Sequence, residues 1–403
     1  MFETWRGPHA FYAVIAAIGV ILSSCNDLPT SVGSEVVPGT DTIYALSSLD
    51  APLLSNDTMS SVREPLVNST YFLIGNTQND QARVFMEFTN YPDLGPDSAY
   101  DVVSADLQMF PQDYRYGDTS DRSVSFTAYE LKRSWSANVT WDSIWTADGS
   151  TDFYSTADAP VCTYSEQVTV PADSMIRVPF DVDAVKRWMV AGRDSSLVKE
   201  VFGFVLLPSN TSVIRQFRNL DGVIQVMKLR VITKKRDTTQ ALDTVFVESA
   251  VANFVNTPEA QAGELLVQGA RIHRTSFKID LDSIPNNSVI VGGTLRITVN
   301  DAASTYGLFG RDEVIAIRYS PPIGSIIELS ARDDASGVYI FTNIGPMLQL
   351  IRKYGGPAEL IIKPSGVYET WRMNRLHIYG LNAADYLRPR VTVAYTIPGV
   401  FDK

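Results

Sequence analysis

Cysteine and histidine are scarce in this sequence, which contains two cysteines and three histidines among 403 residues. Two cysteines can form at most one disulfide, so the cores must supply most of the stability. The motifs Gly-x-Ser-x-Gly and His-Glu-x-x-His are also missing, and no cysteine pair is available for zinc. We therefore predict that the protein is not an enzyme and has no cofactor. Cys162 is expected to be a small buried hydrophobe, and His273 and His377 are expected to be structural or surface residues.

Basic charge and long hydrophobic runs are scarce as well. The formal net charge is −11, and the basic cluster at residues 234–236 is typical of a solvated linker. Nucleic acid is therefore excluded as a partner, because a phosphate backbone requires a basic face. After residue 24, no hydrophobic run approaches the length that spans a bilayer as a helix. We expect any membrane attachment to depend on lipid.

The first residues have the pattern of an export signal. The apolar run at residues 11–22 has the length of a signal-peptide core, and Cys25 follows it directly. Leu22-Ser23-Ser24-Cys25 resembles the bacterial lipobox, which implies a signal peptide over residues 1–24 and lipidation of Cys25. Residues 25–40 are then the lipidated cysteine and a tether. By analogy with that class, Asn26 favours the outer membrane, although a chance cysteine after an ordinary signal peptide is the alternative.

The rest of the chain is typical of β structure and contains an internal repeat. Segments beginning DTIYALSSLDA at residue 41 and DTVFVESAVAN at residue 243 open two series of matching elements. Each series contains alternating strands and one short amphipathic helix, predicted within residues 175–192 and 337–356. We predict an all-β fold of two tandem jelly-roll β-sandwich modules, at residues 41–236 and 241–397.

Several segments resemble the DNRLRE-type surface module of secreted and surface bacterial proteins. They are ELKRSWSANVTWDS (130–143), FDVDAVKRW (180–188), FGFVLLP (202–208) and RPRVTVAY (388–395). The resemblance implies a jelly-roll sandwich. Some relatives of that module bind acidic polysaccharides such as alginate, so it also implies a possible glycan ligand.

An aromatic and acidic segment, residues 134–154, is present in the first series only. We expect it to lie outside the shared core, where a loop is free to carry function. Trp145, Tyr154, Asp142 and Asp148 are the candidate ligand-binding residues, because aromatic rings stack on sugars and carboxylates hold hydroxyl groups. A second interpretation is that the carboxylates bind calcium. A third is that the aromatic residues pack in the core and the aspartates form turns.

Aspartate followed by Ser or Thr and then an aliphatic residue or Thr occurs repeatedly. This pattern is similar to an O-glycosylation acceptor of some Gram-negative bacteria, and turn formation is the competing explanation. The candidate acceptors are Thr42, Thr58, Ser98, Ser143, Ser174, Thr238, Thr244 and Ser283.

These patterns together predict a non-catalytic outer-membrane lipoprotein that acts in binding or scaffolding at the cell envelope. A polysaccharide-binding protein for an acidic glycan such as alginate is the alternative, and a polysaccharide-degrading enzyme is a remote one. The expected partners are the membrane, through the lipid anchor, and polysaccharides or other envelope proteins. The sequence does not indicate whether the protein lies on the periplasmic face or on the cell-surface face of the membrane.

Overall fold

A computed structural model describes residues 42–61, 65–94, 99–192, 201–236, 242–261, 263–270 and 272–397. The predicted signal peptide, Cys25 and the tether lie outside these residues. The described chain is mostly β, as predicted. None of its helices has the length and apolarity needed to cross a bilayer.

The chain contributes twenty-four strands and four helices within the described ranges. In chain order the first strands are β1 (Ile43–Ser47), β2 (Leu54–Ser61), β3 (Leu66–Val67), β4 (Tyr71–Asn76), β5 (Gln81–Thr89), β6 (Tyr100–Gly117), β7 (Ser123–Glu130), β8 (Cys162–Gln167), β9 (Ile176–Pro179), β10 (Phe204–Pro208), β11 (Val213–Arg218), β12 (Leu220–Asp221), β13 (Ile224–Gln225) and β14 (Lys228–Lys235). They continue with β15 (Asp243–Asn256), β16 (Leu266–Gln268), β17 (His273–Ile279), β18 (Val289–Thr298), β19 (Val314–Tyr319), β20 (Ile327–Arg332), β21 (Val338–Phe341), β22 (Ala358–Pro364), β23 (Arg375–His377) and β24 (Arg390–Thr396). The helices are α1 (Trp141–Ile144), α2 (Val182–Ala191), α3 (Gly345–Tyr354) and α4 (Gly366–Glu369).

An eleven-stranded sheet, here called the first β-body, is built from β3 to β11 together with β14 and β15. Its long strand β15 pairs with β14 through residues 243–248 and with β5 through residues 248–256, which closes the sheet on itself. The enclosed core includes Phe126, Phe204 and Phe217, none of which is exposed to solvent. The closed, jelly-roll-like sheet therefore buries its apolar face without help from disulfides.

The second β-body consists of a four-stranded sheet, β1-β24-β18-β21, and a seven-stranded sheet that contains β20, β19, β22, β17, β16, β23 and β2. Its core includes Phe277, Tyr339 and Leu348. Helix α3 packs on β18 where that strand carries two glycines, and a Cβ atom at Gly293 would lie 2.6 Å from the Leu348 side chain. The absence of a side chain at this position lets the helix approach the sheet closely.

The two longer helices form where the sequence predicts them. Asp181 caps α2 and accepts a hydrogen bond from the Ala184 amide at 2.7 Å, and Gly192 follows its last residue. Helix α3 has Pro346 in its first turn and ends at Gly355, whose φ of 73° is a conformation that glycine adopts readily. The residue that precedes α3 is Ile344, whose side chain makes no capping hydrogen bond.

Strand pairing crosses the predicted boundary between residues 236 and 241. Strands β1 and β2, from the start of the chain, pair with β24 and β17 of the second β-body. Conversely, β15 lies after the boundary but belongs to the first β-body. The predicted ranges 41–236 and 241–397 therefore need correction, because each opening strand completes the other half's sheet. Alternation of apolar residues predicts a strand but does not identify its partner.

The two β-bodies repeat the same pairings. In the first, β14 pairs with β6, β6 with β9, β5 with β10, and β10 with β7. In the second, β24 pairs with β18, β18 with β21, β17 with β22, and β22 with β19. The half of β15 that pairs with β14 corresponds to β1, and the half that pairs with β5 corresponds to β2. Relative to the sequence repeat, the opening strands of the two halves of the chain are therefore exchanged, and we call this arrangement the exchange.

The exchange predicts which fragment folds alone. Residues 241–403 lack β1 and β2, so β24 and β17 would each lose a paired neighbour. We expect this fragment to melt without cooperativity. A permuted fragment, residues 257–396 joined through a turn of about two residues to residues 43–61, is expected to fold, because Ile43 pairs with Thr396. Circular dichroism and thermal melting compare the two, and equal cooperativity would contradict the exchange.

Candidate functional site

The aromatic residues predicted to bind a ligand are buried. Trp145 is 3% exposed and Tyr154 is 8% exposed, and the indole nitrogen of Trp145 donates a hydrogen bond to the Tyr154 hydroxyl at 3.0 Å. Trp145 and Phe153 both contact the ring of Phe85, with centroids 5.6 and 5.7 Å apart. The expectation that this segment lies outside the core is therefore wrong. Sugar binding by Trp145 and Tyr154 stays a prediction, and their geometry is that of packing residues.

The reason for this burial lies in the sheet beneath the segment. Phe85 on β5, Val205 on β10 and Phe254 on β15 point away from the main core of the first β-body, and all three are inaccessible or nearly so. A sheet that is apolar on both faces must be covered on both. Residues 131–154 cover this outer face and form a second core.

The two candidate aspartates of the segment, Asp142 and Asp148, are exposed. Asp142 lies in the only turn of α1. Asp148 accepts hydrogen bonds from Thr146 Oγ1 and from the Ser150 amide, and these bonds lower the pKa of its carboxyl to about 2. Asp148 thus stabilises a local turn. Across the described ranges, no group of three or more His, Cys, Asp or Glu side chains could hold a metal ion. Calcium binding by the segment stays a prediction.

The candidate glycosylation acceptors are mostly accessible where they are described. Ser98 and Thr238 lie outside the described residues. The exposed acceptors are Thr42, Thr58, Ser143, Thr244 and Ser283, and Ser174 is half-buried. Ser143 already donates to the Thr140 carbonyl at 2.8 Å. Glycosylation at these positions stays a prediction.

The remaining thiol and the histidines have structural surroundings. Cys162 is buried, and burial raises the pKa of its thiol to about 12. His273 is fully buried, with Ser61 Oγ at 3.0 Å from one ring nitrogen and Thr257 Oγ1 at 3.3 Å from the other. Burial lowers the pKa of the half-buried His377. The expectation that Cys162 is a buried hydrophobe is confirmed.

The two β-bodies meet at a set of hydrogen bonds that links Tyr114 of the first to Met373, Asn374 and Asp312 of the second, and we call this set the latch. Tyr114, a buried residue on β6, accepts a hydrogen bond from the Met373 amide at 2.8 Å, and its hydroxyl donates to Asn374 Oδ1 at 3.2 Å. Asn374 in turn donates to Asp312 Oδ1 at 2.7 Å. Gly307 lies against the Tyr114 ring, where a Cβ atom would come within 2.6 Å. The second β-body therefore contacts both the ring and the hydroxyl group of Tyr114.

A buried ion pair supports this latch. Asp312 is fully buried and accepts a hydrogen bond from Arg372 at 3.0 Å. Burial raises the pKa of the Asp312 carboxyl to about 6, although Arg372 and Asn374 act in the opposite direction. The guanidinium of Arg372 also lies 4.0 Å from the Tyr368 ring centroid and 4.9 Å from that of Trp371.

Four aromatic residues surround the latch, and we call them the junction aromatic surface: Tyr71, Phe309, Tyr368 and Trp371. Tyr71 comes from the first β-body and the other three from the second. The Trp371 ring contacts Tyr71 at 5.6 Å and Tyr368 at 6.0 Å, and Phe309 contacts the buried Tyr114 at 6.0 Å. All four are at least partly accessible, and Phe309 is 49% exposed.

A polar cleft of about 360 Å³ lies at the same junction, and we call it the junction cleft. Turns at residues 77–80, 117–118 and 211–212 of the first β-body form one side, and Thr305 and Arg375 of the second form the other. Tyr116 lies in its floor, and burial raises the pKa of its hydroxyl. Burial also raises the pKa of Asp80, which accepts a hydrogen bond from Thr77 at 3.0 Å.

Sequence reasoning missed these residues because they are distant in the chain. Tyr71, Phe309 and Trp371 come together only when the two β-bodies join. The segment YETWRMNR at residues 368–375 is the part of the sequence that could have indicated a site, since it places two aromatic rings and two arginines within eight positions. Nothing in that segment indicates which strand it faces.

Comparison with known proteins gives little further information. No family model matches the chain, and no curated protein matches it. A structure of the Macrobrachium rosenbergii nodavirus matches at 8% identity and a TM-score of 0.16, over 89% of this chain and 91% of that one. A D431N mutant VP2 protein of infectious bursal disease virus matches at 11% identity and a TM-score of 0.10, over 87% and 76%. At these TM-scores neither likeness carries weight for fold or function.

The burial of Trp145 gives a stability prediction. Trp145→Ala is expected to lower the free energy of unfolding by about 3–5 kcal/mol, because it leaves a cavity against Phe85 and Phe254. Tyr386→Ala is the control, since Tyr386 is 72% exposed. Urea unfolding measures both variants. A Trp145 variant as stable as the Tyr386 variant would contradict the packing role.

The Asp312 carboxyl gives a pH prediction. The pKa of this carboxyl is about 6 in the folded protein, whereas an unperturbed aspartate has a pKa of 3.8. The folded state therefore binds the proton more tightly than the unfolded state. Its contribution to stability is therefore greatest below about pH 4 and falls as the pH rises through 6, by on the order of 3 kcal/mol. Relative to Asp312→Asn, which does not titrate, the wild type should lose stability over this interval.

Urea unfolding at several pH values tests this prediction. Asp334→Asn is the control with the opposite sign, because hydrogen bonds from Ser336 lower the pKa of Asp334. If the wild type and the Asp312 variant show the same pH dependence, the carboxyl does not titrate in this interval.

Proposed function

We propose that the protein is a non-catalytic outer-membrane lipoprotein that acts in binding or scaffolding at the cell envelope. The anchoring part is supported by the lipobox-like sequence that ends at Cys25 and by the tether that follows it. Strand β1 begins at Ile43, soon after this tether. The lipid would thus hold a β-rich protein at the membrane through a short linker.

The observation that carries the scaffolding part is the double connection between the two β-bodies. The strands of the first β-body lie within residues 66–256 and those of the second within residues 43–61 and 266–396, so the chain passes from one β-body to the other twice. The latch at Tyr114 adds a third connection. A protein joined in this way presents its surfaces in a fixed arrangement, which suits a scaffold or a binding platform.

We also propose that the β-bodies are two jelly-roll modules in tandem, similar to the DNRLRE-type surface module, with their opening strands exchanged. The repeated pairings support this proposal, as does the placement of one ten-residue helix in each β-body. The resemblance to that module applies to the fold and leaves the ligand open.

Polysaccharide binding is the second candidate function. It is favoured by the junction aromatic surface and the junction cleft, which both lie between the two β-bodies and combine accessible rings with hydrogen-bonding groups. Sites of this composition suit ligands that have both hydroxyl groups and apolar faces.

Lipidation is the first test of the proposed function. Cys25→Ser should abolish incorporation of a clickable palmitate and release the protein from the membrane fraction, because the thioether requires that sulfur. Cys162→Ser is the matched control and should keep the label, since this thiol is buried. Equal labelling of the Cys25 variant and the wild type would rule out the lipid anchor.

A further inference from the structure

The junction aromatic surface brings four at least partly accessible rings together, whereas many aromatic residues of this chain are deeply buried. Phe309 is half exposed, and its neighbour Leu308 is also accessible. Clusters of accessible aromatic residues indicate interaction sites more often than single ones do. The rings also lie where two β-bodies meet, which is a preferred location for ligand sites.

The junction cleft is formed by the same segments of chain that carry these rings. Tyr116 of the cleft follows Tyr114 of the latch by two residues on β6, so both side chains lie on the same face of that strand. Thr305 and Phe309 belong to one loop, and Trp371 precedes Arg375, the first residue of β23, by four positions. The aromatic rings and the polar cleft are therefore carried by the same three segments of chain.

The charges in the cleft decide which ligand it favours. Asp80 and Asp118 line the cleft, and hydrogen bonds from Ser120 lower the pKa of Asp118, which keeps it ionised. Arg375 is the positive residue of the lining, and Glu264 lies 3.8 Å from its guanidinium. An anionic ligand would meet unfavourable charge here.

The other lining groups are hydroxyls and amides. Gln78, Asn79, Thr211 and Ser212 contribute both donors and acceptors, and the first three are exposed. Uncharged groups of this kind pair well with ligand hydroxyls. The adjoining rings offer flat apolar faces to the C–H groups of a sugar ring.

We propose that the junction cleft and the junction aromatic surface together bind an uncharged glycan. Sugar rings stack on the accessible faces of Phe309 and Trp371, and hydroxyl groups enter the cleft beside Asn79 and Thr211. This inference rests on the polysaccharide-binding candidate function, and it changes the ligand class from an acidic glycan to a neutral one. It also places the site at the junction instead of in residues 134–154.

Binding to a defined panel tests the proposal. The detergent-solubilised full chain is titrated calorimetrically with neutral hexasaccharides of glucose, mannose and xylose, and with a uronate hexasaccharide. Two variants probe the site: Phe309→Ala removes a ring face, and Thr211→Trp fills the cleft. Each has a matched control at an exposed position elsewhere, Tyr386→Ala and Thr163→Trp. Thermal melting shows that all four are folded, and sedimentation velocity gives their oligomeric state.

We expect at least one neutral hexasaccharide to bind more tightly than the uronate. Phe309→Ala should weaken that binding about tenfold. Thr211→Trp should abolish it, and both controls should stay within about twofold of the wild type.

Three outcomes would overturn the proposal. If a glycan binds but neither site variant changes its affinity, glycan binding stands and the junction is not its site. If only the uronate binds, the ligand class is wrong. If no glycan binds, the polysaccharide-binding function fails together with this inference, and the scaffolding proposal is left. The same holds if the wild type self-associates and Phe309→Ala abolishes that association, because the surface then binds a second copy of the chain.

Discussion

The backbone hydrogen bonds of three strands, β1, β2 and β15, complete the sheets of the two β-bodies. Strands β1 and β2 precede the first β-body in sequence but pair in the second, and β15 is the last strand of the first β-body although it lies beyond the boundary that the repeat predicts. A strand withdrawn from either sheet would leave a row of unpaired amides and carbonyls and open an apolar core to water. The two cores are therefore closed only when these three strands are paired.

The junction itself uses a different kind of interaction. Tyr114 inserts from the first β-body, and Asn374, Asp312 and Arg372 arrange their polar groups around its hydroxyl. Each group in this network depends on the position of the next, because an unpaired polar atom is costly where water is excluded. The aromatic rings and the cleft surround this network, so their spacing is set by the same contacts.

Local features of the fold could be predicted from the sequence. Asp181 and Gly192 delimit α2, and Pro346 and Gly355 delimit α3, because caps and glycine stops depend on neighbouring residues only. The strands likewise follow from alternation. Pairing partners could not be predicted, because the opening strand at residue 43 has an alternation that suits either sheet edge. For that reason the predicted ranges place β1, β2 and β15 in the wrong β-body.

The candidate site could be predicted even less. Trp145 and Tyr154 were conspicuous because they lie close together in sequence, yet the outward-facing Phe85 and Phe254 require them as a cover. Tyr71, Phe309 and Trp371 are separated by long stretches of chain, so no window of sequence contains them together. Whether an aromatic residue is buried depends on what lies on both faces of its sheet, and that is a property of the tertiary structure.

The exchange also affects the order in which the fold can be completed. Strands β1 and β2 leave the ribosome, and cross any export channel, before the other strands, but their partners β17 and β24 follow only after more than half of the chain. The first β-body must likewise wait for β15. Contacts so distant in sequence form slowly, and unpaired strands are prone to aggregation while they wait. A newly synthesised chain therefore passes through an interval in which neither β-body is complete, and it is then that we expect it to depend most on chaperones.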